Sequence, residues 1–440
     1  MRRILIVAFH FPPIVTTGTF RTMAWVKRLL EKGWNVTVLT TNSESDHIDL
    51  GYEAELLKNV TIYRVNSPDL VAVIKQKITG KGSGGHKEIS KSRVESSAIE
   101  KERSYAGVKD FLSYFFQIPD RYVGMLFSSL PLIFKELRKQ HFDIIYSTSP
   151  FTTCHLIALV LKIQLKARWT ADFRDPWVDN PFKEIPGKFL NKLDAFLERC
   201  VLKAADQIVC VTPNMTNRIK ERYPEIENRI HTITNGYDAN DFAMAKKRRD
   251  YGPDDFVIVH PGVFYGPRSP ISLFKAMRSI CRENKERFTK IRLLLIGEVM
   301  YQGKPMRSIC DEYGISDQVD IIPYIPKREV IPYLKGADCL LLVGFHGKHQ
   351  DLQLPGKIFD YIAVGNPIFA IAPEATQISY MLRELSPKNK IADPRDIDAI
   401  KETLLDMMSD SAGNCIPDLN YEWGTLFSKL EGIFGIDQLD

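Results

Sequence analysis

ILIVAFHFPPIVTTGTFRTMAWVKRLLEKGWNVTVLTT, residues 4–41, decides how the rest of the chain is read. Ile4–Phe9 is a short aliphatic run of the kind buried on both faces of a parallel sheet. Thr19–Glu31 carries Phe20, Met23, Ala24, Trp25, Val26, Leu29 and Leu30 at helical spacing, and Gly33 stops it. Asn35–Thr41 is a second strand. Strand, helix and strand form one βαβ unit, and an open α/β sheet places ligands at the loop between its first two elements. That loop, His10–Arg21, contains Gly18, which lets a backbone approach closely, and it opens a helix whose free N–H groups favour a phosphate or sugar.

The same alternation continues outward. Further strands are expected at Val60–Val65, Asp143–Ser147, Arg168–Phe173, Gln207–Thr212 and Ile230–Thr234. AMAKKRRDYGPDD, residues 243–255, breaks the pattern with basic residues, Gly and Pro. It then restarts with strands at Phe256–His260, Ile291–Gly297, Val319–Ile322, Ala337–Val343 and Ile368–Ile371, and helices at Pro270–Asn284, Met306–Tyr313 and Lys357–Val364. The fold class this predicts is α/β, with two doubly wound Rossmann-like domains and an interdomain cleft. The domains are expected at 1–240 and 255–415, with 416–440 a C-terminal helix packing back toward the first. Residues 79–105, polar and rich in Gly, Ser and charge, read as a mobile insert in the first domain. Its Gly80–Lys87 segment lacks the Gly-Lys-Ser/Thr ending of a phosphate loop.

Composition narrows the class. The chain has 440 residues, 44% hydrophobic and 26% charged, enough for sizeable cores and unlike a disordered or collagen-like protein. Cysteines 154, 200, 210, 281, 310, 339 and 415 are scattered without a CxxC pair, which argues against a disulfide framework and a structural zinc site. The net charge of +5 conceals an asymmetry: residues 1–250 carry 38 Lys and Arg against 28 Asp and Glu, and residues 251–440 carry 21 against 26. A basic first half suits an anionic acceptor or a negative membrane surface, although chance variation between two domains gives the same imbalance. The opening run is too short for a signal peptide, and no apolar stretch reaches the length of a spanning helix. The expected location is cytoplasmic, at the inner face of a membrane.

Chemistry-bearing loops recur at the ends of predicted strands. Thr170–Trp177, TADFRDPW, places Asp172, Arg174 and Asp175 directly after a buried strand, where charges pair internally or bind something. Thr234–Asp238, TNGYD, is a turn just before the domain boundary. His260–Ser269, HPGVFYGPRS, sets Gly262 at a strand end and Arg268 at a helix start, which makes either a pyrophosphate pocket or a solvated cation. Asp351–Tyr361, DLQLPGKIFDY, leads through Leu354, Pro355 and Gly356 into a helix bearing Lys357 and Asp360. Asp360 either accepts from ribose hydroxyls or is a first-turn acid that the helix dipole favours. Asp396-Ile397-Asp398 opens a late helix and reads as capping acids, not as a metal motif.

Taken together, ILIVAFHFPP…G…R, DFRDPW, ADQIVCVTPNM…ITNGYD, PGVFYGPRSP, LLLIGE and LPGKIFDYIAVGNPIFAI resemble the GT-B glycosyltransferases of the large retaining family 4, of the bacterial surface-polysaccharide type. The resemblance implies an NDP-sugar donor held by the second domain and a glycan or lipid-linked glycan acceptor held by the first, with no metal or other cofactor and no nucleic acid. It implies that Gly18 lies beside the donor, that Arg268 is the basic phosphate ligand six residues after Gly262, and that Asp360 is the second, ribose-binding acid of an E-x7-E pattern. Lys357 and the amides of Leu354–Gly356 would line the phosphate end. The chain departs from the family at three points. Leu352 stands where the first acid belongs, with Asp351 one position away as the candidate sugar-binding acid. Val263 replaces an arginine next to Gly262. The family's cleft histidine gives way to either Asp172 or Arg174. The other readings of the same architecture are a non-hydrolysing sugar-nucleotide epimerase and a non-catalytic nucleotide-sugar or glycan-binding protein. Lys109–Gln140, aromatic and basic, reads either as first-domain core or as a peripheral membrane contact of that domain.

Overall fold

The computed structural model describes residues 1–42, 48–70, 108–183, 185–297, 299–409, 413 and 415–435; the 79–105 insert and its Gly80–Lys87 segment lie outside them. The chain forms two units. The first holds residues up to Asn235 together with those from Trp423 onward, and the second holds Gly236–Glu422.

The first unit is built on β1 (Arg3–Ala8), β2 (Asn35–Thr41), β3 (Thr61–Val65), β4 (Ile144–Thr148), β5 (Arg168–Phe173), β6 (Gln207–Cys210) and β7 (Ile230–Thr232). Their order is β3-β2-β1-β4-β5-β6-β7, and every pairing is parallel. The order reverses between β1 and β4, so the loops after these two strands diverge and leave a crevice at their carboxyl ends. The central strands β1, β4 and β5 are buried along nearly their whole length because helices cover both faces. One face packs under Thr17–Glu31 and Trp423–Phe434, where Trp25 meets Trp423 edge to face at 5.2 Å. The other lies under Gly124–Lys135, Thr153–Leu165, Lys188–Ala204 and Pro213–Arg222.

The second unit repeats the plan with β8 (Phe256–Pro261), β9 (Ile291–Ile296), a β10 (Met300–Tyr301) to β11 (Lys304–Pro305) hairpin, β12 (Val319–Ile322), β13 (Cys339–Val343), β14 (Ile368–Ile371) and β15 (Lys390–Ala392). The main sheet runs β12-β9-β8-β13-β14-β15, all parallel, and reverses between β8 and β13. Two doubly wound parallel sheets flanked by helices are the architecture of a GT-B fold.

Sequence patterning misses two kinds of element. Strand β15 is three residues long, half-buried and has a lysine at its start, so its run is too short to register. The Thr153–Leu165 helix is apolar nearly all round because it is packed between neighbours, which hides its period. Asp396, read from the sequence as a helix-start acid, accepts from the Ala399 amide at 2.9 Å before the Ile397–Ser409 helix.

His155, on the Thr153–Leu165 helix, has no exposed surface. Its ring stacks on Phe173 at 4.5 Å, Nδ1 meets the Ser147 hydroxyl at 2.8 Å, and Nε2 has no partner. Burial pushes its pKa down to about 3. The unfolded chain therefore binds a proton near pH 6.5 that the folded chain refuses until about pH 3, so stability falls as the pH drops through that interval. A tenfold difference in proton affinity is worth ~1.4 kcal/mol, so the loss at pH 4, discounted for relaxation around the ring, is about 2 kcal/mol. Urea titrations at pH 7 and pH 4 should show His155→Phe losing less stability on acidification than the parent; equal losses would remove His155 as the cause.

Candidate functional site

In the first unit, the β1–β4 reversal is organised by a buried ion pair. Arg21 and Asp172 are 1% and 0% exposed. The guanidinium donates to both carboxylate oxygens, Nε to Oδ2 at 2.9 Å and Nη2 to Oδ1 at 2.8 Å, and also to the carbonyls of Ile233 at 3.0 Å and Thr234 at 2.6 Å. The Tyr146 and Thr148 hydroxyls donate to the same carboxylate at 2.6 and 2.8 Å. Burial alone would raise the Asp172 pKa, but the Arg21 charge and these hydrogen bonds outweigh it and hold the group below the usual carboxylate range. With no open surface, Asp172 is out of a ligand's reach and can only position the groups around it.

Those groups lie next to it. The Arg174 amide donates to Ser149 Oγ at 3.0 Å, which ties β5's end to the loop after β4. Its Nη2 donates to the Thr17 carbonyl at 3.1 Å, while its buried Nε has no partner. Asp175 is half-buried and its charge acts on Arg174. Trp177 belongs to the core, with its indole N–H on Asp194. Gly18 stands at the head of the Thr17–Glu31 helix, capped by Thr16, and the His10 ring lies directly on it. A Cβ at Gly18 would come within 2.7–2.9 Å of that ring, so only glycine fits. Burial, then the Arg174 charge, pushes the His10 pKa down to about 4, which leaves the ring neutral at pH 7. The sequence reading placed Gly18, Asp172, Arg174 and Asp175 in this region, but assigned no role to His10 or Arg21. The signals for Arg21 were its place as the last residue of the ILIVAFHFPP…G…R motif and its position in the second turn of a helix otherwise apolar on its inner face.

In the second unit, the loop after β8 meets the helix after β13. Gly262 sits at φ +91°, strained for any L side chain, and its missing Cβ would lie 3.4 Å from Lys357 Nζ. Lys357 opens the Lys357–Val364 helix and donates to the Pro261 carbonyl at 2.7 Å and to His260 Nε2 at 3.0 Å. His260 is buried, stacked on Phe264 at 4.3 Å, with Nδ1 at 2.9 Å from the Leu341 carbonyl. Nδ1 must therefore carry the proton, and Nε2 is left as the acceptor for the ammonium. Burial, then Lys357, holds the His260 pKa well below the ordinary range, in keeping with that tautomer.

Arg268 is 8% exposed, packs over the Tyr265 and Phe345 rings at 4.7 and 5.7 Å, and bonds the Tyr265 hydroxyl. It lines a small cavity with Gly344, Phe345, Gln353 and Thr376 at the ends of β13 and β14. The sequence reading did not anticipate these aromatic supports. Asp360, half-buried in the first turns of its helix, is paired with Lys327 at 2.7 Å. Leu352 and Leu354 are core residues, Asp351, Pro355 and Gly356 are half-buried, and Val263 is half exposed. Among the described residues, no group of three or more His, Cys, Asp or Glu is arranged to hold a metal ion.

The Glycosyltransferase Family 4 profile matches residues 95–241, a third of the chain. D-inositol 3-phosphate glycosyltransferase of Streptosporangium roseum is 24% identical over 182 residues, 39% of this chain and 41% of that protein. The chain thus aligns with less than half the length of this curated relative. Sucrose-phosphate synthase of Thermosynechococcus elongatus superposes over 100% of this chain and 99% of its own, with a TM-score of 0.65 at 14% identity. Anabaena Alr3699/HepE, solved in complex with UDP, covers 99% of this chain and 100% of its own, with a TM-score of 0.61 at 9% identity.

Removing one partner of the Arg21–Asp172 pair strands a buried charge, which costs about 3–5 kcal/mol. Asp172→Asn and Arg21→Met should each lower the urea-unfolding free energy by that order. The double variant Arg21→Met/Asp172→Leu should recover part of the loss. A single variant as stable as the parent would deny the pair its role.

With both sheets, both reversal points and the profile match in agreement, the chain is a GT-B-fold protein related to Glycosyltransferase Family 4.

Proposed function

We propose that this protein transfers a glycosyl group from a nucleotide-diphosphate sugar to a saccharide or lipid-linked saccharide acceptor in surface-polysaccharide synthesis, with retention and without a metal ion. The observation that carries the donor half is that two cations, Lys357 beside Gly262 and Arg268 against the Tyr265 and Phe345 rings, both act on the buried His260 at the strand-order reversal of the second sheet. Two cations, one fixed by a neutral histidine and the other by two aromatic rings, suit a diphosphate whose charge grows as the sugar departs. Because both are held by the folded chain, little reorganisation is needed when that charge develops.

Asp360 is proposed to accept from the ribose hydroxyls, exchanging Lys327 for the nucleoside, and Asp351 to meet the sugar. The amides around Leu354, Pro355 and Gly356 would complete the phosphate end. In the first unit, Gly18 is proposed to lie beside the donor and Arg174 and Asp175 to serve the reacting sugar, with Asp172 setting their positions through Arg21. The UDP complex of Anabaena Alr3699/HepE, a fold relative, makes UDP-sugars the first donors to test.

A thermal-shift series across UDP-, GDP-, ADP- and dTDP-sugars tests the donor. A ligand at about 100 times its dissociation constant stabilises by ~2.7 kcal/mol, a readily measured shift. Arg268→Ala, Lys357→Ala and Asp360→Ala should each reduce that shift strongly and lower transfer by ~100-fold or more while leaving the ligand-free melting curve nearly unchanged. Unaltered turnover in both Arg268→Ala and Asp360→Ala would refute the site. Release of a 2-epimerised nucleotide sugar without acceptor would favour the epimerase reading, and binding without turnover on any acceptor the non-catalytic one.

A further inference from the structure

We infer that the crevice at the carboxyl ends of the first unit's strands takes the hydroxyls of a neutral sugar ring through His10, Arg174, Thr234 and Asn235. Each of the four carries a buried polar atom without a hydrogen-bond partner: His10 Nδ1, Arg174 Nε, Thr234 Oγ1 and Asn235 Oδ1. They are gathered, not scattered. His10 lies on Gly18, Arg174 donates to the neighbouring Thr17 carbonyl, and the Arg174 charge acts on the His10 ring. Arg21, whose charge acts on Arg174, donates to the Ile233 and Thr234 carbonyls, which brings Thr234 and Asn235 to the same junction. A polar atom buried without a partner costs free energy, so natural folds rarely keep one without a use. Four at a strand-order reversal, where open α/β sheets bind ligands, point to a ligand that completes them.

The chemistry of these atoms selects the ligand. Asn235 Oδ1 only accepts, Arg174 Nε–H only donates, and the Thr234 hydroxyl does both. The His10 ring is neutral at pH 7 and adds no positive charge. An anionic oxygen would satisfy Arg174 but set its charge against the Asn235 oxygen. A hydroxyl donates as well as accepts, and several on one ring serve both kinds of atom. Phe151, half-buried, 5.7 Å from the His10 ring and 4.6 Å from that of Phe9, adds an aromatic surface for the C–H face of such a ring. Thr234–Asp238, which the sequence presents as a turn, thereby contributes two of the four contacts. What the ring is used for rests on the transferase proposal, under which it is the sugar being moved or the sugar receiving it; its binding does not.

Saturation-transfer NMR on the intact chain tests this with methyl glycosides of glucose, galactose, mannose and N-acetylglucosamine, each beside its C6 carboxylate. At least one neutral glycoside should bind, and its carboxylate should bind more weakly. Thr234→Val and His10→Phe remove polar atoms that bond nothing among the described residues. Each should therefore weaken binding about tenfold while its melting temperature equals or exceeds the parent's. A purely structural role would do the reverse, lowering the melting temperature and sparing the affinity. Where a nucleotide sugar displaces the glycoside, the ring is the sugar being moved; where both bind together, it is the sugar receiving it. The inference is overturned if no neutral glycoside binds or if the carboxylates bind better. It is equally overturned if both folded variants bind as the parent does, which would leave an ordered water as the occupant. Glycoside binding is read without donor or turnover, so its failure is distinct from failure of the donor thermal-shift series, and either can fail alone.

Discussion

The Arg21–Asp172 pair is the constraint on which the first unit's functional end depends. Two charges without solvent exposure are tolerable only if their hydrogen-bonding capacity is nearly saturated. Here the carboxylate receives four donors and the guanidinium reaches two carbonyls besides. The cost of desolvation is offset by a geometry that joins the helix after β1, strands β4 and β5, and the segment after β7 at one point. None of these can shift without stranding a charge. Gly18, three residues before Arg21, and Arg174, two after Asp172, adjoin this junction and inherit its rigidity.

The second unit fixes its charge differently. Lys357 is steadied by a carbonyl and a neutral imidazole, neither of which carries a negative charge. The Leu341 carbonyl accepts from Nδ1–H and so leaves the Nε2 lone pair facing the ammonium. A carboxylate in the place of His260 would hold the lysine more tightly, but would cancel its field. The stacking of Arg268 on Tyr265 and Phe345 follows the same logic, orienting a cation through ring quadrupoles. One unit closes its buried charges into an ion pair, and the other steadies two cations on neutral groups.

These differences explain what could be read from the residues alone. Strands that are continuous apolar runs and loops with glycine at their ends are local signals, and Asn35–Thr41, Arg168–Phe173 and Lys357–Val364 have the boundaries that patterning assigns. The candidate loops after β1, β5, β8 and β13 were legible for the same reason. The partners were not. Arg21 and Asp172 are 151 positions apart, and His260 meets Lys357 across 97, so no window of sequence contains both members. Asp360 read either as a ribose acceptor or as a first-turn acid favoured by the helix dipole, and neither reading foresaw its pairing with Lys327 on another helix. Leu352, read as a gap in an acidic pattern, is a core residue with 2% exposure; the 3₁₀ turn Gln350–Leu352 turns it inward while Asp351 stays half-buried.

The aromatic stretch Lys109–Gln140 shows why periodicity could not settle its own case. Helical spacing says which residues share a face, but not whether that face looks at a core or away from it. Within this one stretch, Val123, Met125 and Ile133 are buried while Phe115, Phe127 and Phe134 are exposed. On the Gly124–Lys135 helix core and surface roles therefore coexist, with Met125 and Ile133 inside and Phe127 and Phe134 outside. The Lys188–Ala204 helix inverts the usual arrangement further, because its acids are inside and phenylalanines outside. Burying Asp194 and Glu198 is sustainable only because Trp177, Lys183, Val178 and Arg222, all on neighbouring segments, supply donors. Folding thus removes negative charge from the outer surface without removing it from the sequence, and a composition count along this helix understates how cationic its exposed side becomes.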